Sequence, residues 1–134
     1  MKAEDIQVAG NHYKNMAYQT ARFGFDVGLE SLGTQIAKYL TRDKGSRIEN
    51  LEKAYHCIAL DQQFDEELYD EGFVYSLDIY RPESDDEKIE KYFSQFSDGD
   101  KLKKVMVNYM KANFSSAKRG LRRYINGLKE ESNV

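Results

Sequence analysis

The 134-residue chain contains no tryptophan, one proline, one cysteine and two histidines, and each shortage removes a class of protein. A lone Cys57 excludes an internal disulfide framework and a cysteine-rich zinc site, and it fits a reducing compartment. His12 and His56 stand in neither an HExxH nor a CxxC context, so no structural zinc is expected. No GxSxG elbow flags a nucleophilic serine. No apolar run approaches the roughly 18 residues that cross a bilayer, and the opening MKAEDIQVAG lacks the parts of a secretory signal. The expectation is no membrane and a cytoplasmic location. Internal repeats and low-complexity segments are also lacking. The run from Gly28 to Thr34 has the glycine spacing of a phosphate-binding P-loop but lacks its lysine and a preceding buried strand. It reads as glycines between two helices.

Seven phenylalanines and ten tyrosines supply apolar anchors, and 20 basic and 23 acidic residues supply a polar face. That balance, at this length, defines one ordinary folded domain without need of a staple. The net charge of -3 is unevenly spread: residues 1–60 carry 8 basic and 7 acidic side chains, 61–100 carry 3 and 14, and 101–134 carry 9 and 2. An acidic middle therefore precedes a basic end. Mutual neutralisation inside a bundle or between subunits is the simpler account, so nucleic acid is not the expected partner.

The apolar periodicity is helical almost throughout. The opening QVAGNHYKN, residues 7–15, reads as a loop, and a first helix from about residue 16 or 20 ends at Gly28. Over 31–42, Leu32, Ile36, Tyr39 and Leu40 form a stripe, while Gln35, Lys38 and Arg42 share another side. The segment DKGS breaks that helix, and Ser46 with Glu49 makes a capping box for the next, whose stripe is Ile48, Leu51, Tyr55 and Ile58. So short a break predicts an antiparallel helix hairpin. Residues 64–82 read as an irregular connection, with FVYSLDIY allowing a short β-hairpin near 72–81. Ser84 and Glu87 repeat the capping pattern ahead of Ile89, Tyr92, Phe93 and Phe96. From 101 to 128 the period continues as one long C-terminal helix, interrupted at most near Ser115, Ser116 or Gly120. The fold class expected is a mainly α, small helical bundle. A helix of that length favours packing along a partner, hence a homo-oligomer.

Asn11, His12, Tyr13 and Lys14 in the first loop, Gln35, Lys38 and Arg42 on a helix, and Lys44 with Gly45 at the break combine cations, amide donors and aromatic faces. Those are the groups a phosphorylated ligand needs.

The runs QVAGNHYKNMAYQ, GLESLGTQIAKYLTRDKG and NLEKAYHCIALDQ resemble, over about residues 7–63, a family of small bacteriophage proteins that includes a deoxynucleoside monophosphate kinase. Gln7, Val8, Gly10, His12, Tyr13, Lys14, Gln19, Lys38, Tyr39, Arg42, Lys44, Gly45, Leu51, Lys53, Ala54 and His56 carry the pattern. Ala9, Asn11, Gln35 and Asn50 depart from it, the second and fourth replacing carboxylates. The resemblance implies a family-like core over 1–63, a helical extension over 64–134, and a nucleotide-binding protein of host cytoplasm if phage-encoded. Its ligand-binding residues would be Gly10, Asn11, His12, Tyr13, Lys14, Gln35, Lys38, Tyr39, Arg42 and Lys44. Lys14, Lys38 and Arg42 would hold phosphates, Tyr13 would border the base, and His12 would carry a proton, with magnesium accompanying the nucleotide. The lost carboxylates point instead to a non-catalytic sponge for a nucleotide or cyclic-nucleotide signal, an anti-defence role. A third alternative is an interaction protein that uses its basic C-terminal helix.

Overall fold

The computed structural model describes residues 16–70 and 82–132, which form six helices and no strand. They are α1 (Thr20–Val27), α2 (Ser31–Thr41), α3 (Arg47–Asp70), α4 (Pro82–Phe93), α5 (Gly99–Met110) and α6 (Phe114–Ser132). The expected mainly α bundle is what the chain adopts. None of these helices is long and apolar enough to cross a membrane.

Helix α1 stops where the sequence says it should. Gly28 takes φ 75°, and the amides of Gly28 and Leu29 reach back to the carbonyls of Phe25 (3.3 Å) and Gly24 (2.8 Å). This is the paired closure that a left-handed residue allows at a helix end. Only Leu29 and Glu30 separate α1 from α2, and Gly33 lies inside α2, so the glycine spacing forms no phosphate loop. Helix α2 buries Gly33, Ile36, Ala37, Leu40 and Thr41, and leaves Gln35 exposed on the opposite side. At the break that follows, Ser46 Oγ accepts the Glu49 amide (3.2 Å), as the capping pattern predicted. Buried Asn50 donates its side-chain amide to the Lys44 carbonyl (2.9 Å), which pins the turn and lets α3 fold back along α2.

Three boundaries differ from the expectations. Helix α3 continues to Asp70, through the first part of the predicted connection, where Gln62 and Gln63 donate to Glu66 (3.4 Å) and Glu67 (3.1 Å) one turn on. Such i,i+4 pairs sustain a helix that has run past its core. Helix α4 begins at Pro82, a residue preorganised for a first helical position, so position 84 lies within the helix and not ahead of it. The suggested hairpin at 72–81 lies outside the described residues. The third difference is the largest: the long periodic segment is two separate helices, broken at residues 111–113, just ahead of the interruption near Ser115 and Ser116 that the sequence allowed. Ala112 takes φ 60°, its amide bonds the Tyr109 carbonyl (2.9 Å), and the Asn113 amide bonds the Asn108 carbonyl (2.8 Å). The closure at Gly28 is thus repeated with alanine in the glycine's place, and α6 turns back along α5 as the C-terminal helix.

All six helices contribute to one core among the described residues. Phe23, Ile36, Leu40, Leu51, Ile58, Tyr92, Phe93, Leu102, Met106, Leu121 and Ile125 are fully or almost fully buried in it. At its α1–α4 side Phe23 stacks on Tyr92, with centroids 4.4 Å apart and rings 11° from parallel. Three more rings, Tyr18, Phe93 and Phe96, meet Tyr92 edge-on.

Candidate functional site at the open side of helices α2 and α3

The expected site residues divide into two sets. Gly10, Asn11, His12, Tyr13 and Lys14 lie outside the described residues. Gln35, Lys38 and Tyr39 lie on α2, Arg42 directly follows it, and Lys44 is exposed in the break before α3. Lys44 and Arg42 also serve the turn through their backbones, because Asn50 and Arg47 donate to their carbonyl oxygens.

Gln35 and Tyr39 open onto a groove of about 540 Å³ between α2 and α3, whose other walls include Leu32, Lys53, His56, Cys57 and Leu60. Tyr39 is half-buried and flanked by two ammonium groups, Lys38 Nζ at 5.5 Å and Lys53 Nζ at 5.8 Å from its ring centroid. The cations attend an aromatic face, an arrangement that suits a planar anionic ligand. Cys57 Sγ faces Gln35 Oε1 at 3.9 Å, and burial pushes the thiol's pKa up, so it lines the groove as a neutral group and not as a thiolate nucleophile. Glu49 and Glu52 stand on the α3 wall, and Glu52 is engaged by Arg122 of α6. Lys38 and Arg42 are not among the lining residues, so the polar row of α2 and the groove adjoin without coinciding.

Lys53 and His56, which are not among the expected ligand-binding residues, face Gln35 and Tyr39 across the groove. The spacing of Glu49, Lys53, His56 and Leu60 along α3 carried that information, since residues three and four apart share a helix face. No group of three or more His, Cys, Asp or Glu side chains among the described residues is arranged to hold a metal ion.

A chain of hydroxyls fixes where the N-terminal end of α1 lies. Thr41 Oγ1 donates to the Ala37 carbonyl (2.9 Å), so its one proton is spent and it accepts from Tyr92 OH (2.8 Å), which in turn accepts from Thr20 Oγ1 (2.7 Å). One phenol thereby joins the first residue of α1 to the last of α2, between Lys38 and Arg42 in the sequence. The residues leading into α1 are held too: the Tyr18 amide donates to Gln95 Oε1 (2.8 Å), and Gln95 Nε2 returns a bond to the Tyr18 carbonyl (3.0 Å).

No family model, curated protein or solved structure matches the chain.

Proposed function

We propose that the protein binds a nucleotide or closely similar phosphorylated small molecule at the C-terminal end of α2 and in the adjoining α2–α3 groove. The observation that carries the reading is the Thr20–Tyr92–Thr41 bridge, which brings the start of α1 to the end of α2 that bears Lys38 and Arg42. Five residues lie between Lys14 and Thr20, so the two are joined by a tether of at most about 22 Å. The reading requires Gly10, Asn11, His12, Tyr13 and Lys14, which lie outside the described residues, to reach the same corner. Tyr39 between Lys38 and Lys53 adds an aromatic face with two cations, and the groove is of the size that small-molecule sites occupy.

Two chemistries fit such a pocket. A monophosphate kinase like that of the phage family would use His12 as proton carrier and the cations to neutralise the transferring phosphoryl group. Magnesium would arrive on the phosphates of its nucleotides. A sponge would only hold its ligand, and Asn50 favours it: where the family pattern has a carboxylate, this chain has an amide donating to a backbone carbonyl, a bond no carboxylate can make. Binding without turnover is accordingly the preferred form of the reading, with a homo-oligomer as its expected assembly.

A thermal-shift screen with nucleoside mono- and triphosphates and cyclic dinucleotides tests the binding. A ligand at 100 times its Kd should add about 2.7 kcal/mol of stability, and Lys38→Glu and Lys53→Glu should abolish the gain. If no nucleotide stabilises the protein, or the charge-reversed variants respond like the parent, the site is wrongly assigned. Incubating labelled deoxynucleoside monophosphate with ATP and magnesium then separates the chemistries: diphosphate product means a kinase, and a ligand recovered intact after denaturation means a sponge.

A further inference from the structure

Among the described residues, the basic end of the chain is only slightly neutralised by the acidic middle. Among the described residues a single ion pair, Lys103 with Glu90, joins the two, and Arg122 pairs instead with Glu52 of α3. Lys101, Lys104, Lys118, Arg119 and Arg123 take part in no ion pair within the described residues.

These cations border two grooves that meet on α6. The first, of about 430 Å³ between α5 and α6, has Lys101 and Lys104 on one lip and Arg123 on the other. Its floor is apolar, with Val105, Leu128 and the Tyr124 ring. It stays open on the α6 side because Gly120 and Gly127, two helical turns apart, contribute no side chains. The second groove, of about 680 Å³ between α6 and Tyr55 of α3, shares Arg123 and Gly127 with the first and adds Lys118, Arg119 and Arg122. Arg122 lies 4.4 Å over the Tyr55 ring, which holds the guanidinium in place. Glu130 and Glu131, near the end of α6, are the acidic residues on these walls.

We infer that this face of α5 and α6 is a binding track for single-stranded nucleic acid, separate from the α2–α3 groove. Cationic lips beside an apolar, aromatic floor match a strand whose phosphates run along the rim while bases turn inward. A duplex offers its phosphates on a convex cylinder with the bases already stacked, and would leave the floor unused. A peptide of acidic residues alone would meet the lips but has no planar apolar groups to fill the channel. The chain as a whole is acidic, so the attraction is local and short in range.

The test is fluorescence polarisation of the full-length protein with a labelled 20-nucleotide mixed-sequence DNA strand at 50 and 200 mM salt. Neutralising four to six phosphates predicts that affinity falls roughly fifty- to three-hundred-fold between the two salts. Arg119→Glu with Arg123→Glu on α6, and separately Lys104→Glu on α5, should each weaken binding and flatten the salt dependence, whereas Lys88→Glu on α4 should do neither. These positions are exposed, and circular dichroism verifies that the variants fold. The inference is overturned by unchanged affinity in the α6 double variant, by a duplex binding as tightly as the strand, or by polyglutamate competing as well as unlabelled DNA. A mononucleotide that occupies the α2–α3 site should leave strand binding intact.

Discussion

At the residue scale, two hydrogen-bonded tyrosines hold separate helices together. Tyr92 is fully buried, and its phenol links Thr20 to Thr41, so Tyr92→Phe keeps the ring packing while removing the partner of a buried donor and a buried acceptor. The loss should be about 1–3 kcal/mol, read as a lower urea midpoint with unchanged m-value. A variant as stable as the parent would mean that the relay contributes nothing. Tyr124 donates to Asp98 (2.6 Å), which also accepts from Arg47 (2.7 Å), tying α6 to the starts of α3 and α5. Burial by itself would raise the Asp98 pKa, but the bonds from Tyr124 and Arg47 outweigh it and hold the carboxyl below the usual range. Burial together with Asp98 pushes Tyr124 up to about 12. Because the folded pKa of Asp98 is depressed, its contribution is present above the unfolded value near ~3.9 and disappears as pH falls through the folded one. Asp98→Asn should therefore be less stable than the parent at pH 7, with the gap narrowing as pH falls from the unfolded carboxylate range through the lower folded value. Urea midpoints measured from pH 7 to 2 check this, and a gap that stays constant to pH 2 contradicts the assignment.

At the element scale, the two left-handed helix ends show what the sequence could and could not reveal. Gly28 announced its break, because glycine takes positive φ at little cost and is common just past a helix. Ala112 gave no such notice: it is a good helix former inside an unbroken apolar period, and the pressure to turn comes from tertiary packing of α6 back onto the core. The groove is a similar case. Each of its walls was visible as a helical face, but which faces oppose depended on the turn that Asn50 pins, a bond that only coordinates reveal. The alanine also makes a prediction. Its left-handed conformation costs on the order of 1 kcal/mol, so Ala112→Gly should raise stability by about half to one kcal/mol and Ala112→Val should lower it. Thermal unfolding of the two variants, compared with the parent, reads the sign directly; a glycine variant that melts earlier would show that the turn stores no strain.

At the scale of the whole molecule, the described residues up to 63 and those that follow are not separable by their cores. Helices α2 and α3 bury Ile36, Leu40, Leu51 and Ile58 in the same cluster to which α4, α5 and α6 bring Tyr92, Phe93, Leu102, Met106, Leu121 and Ile125. The polar links cross the division too: Tyr92 bonds Thr20 and Thr41, Tyr109 donates to Asp61 from α5, and Arg122 engages Glu52 from α6. A fragment of residues 1–63 would expose one side of its hairpin and keep roughly half the chain with which to cover it, below the size at which an unstapled domain is comfortably stable. The fragment should show weak helicity and no cooperative melt, while the full chain unfolds in a single transition that coincides by far-ultraviolet circular dichroism and tyrosine fluorescence. Nucleotide binding should then disappear with the fragment's tertiary structure, even though every residue of the α2–α3 groove is still present. The groove's two walls are held at their spacing by the helices behind them, and a fragment that melts cooperatively and binds like the parent would show that the second half is an accessory.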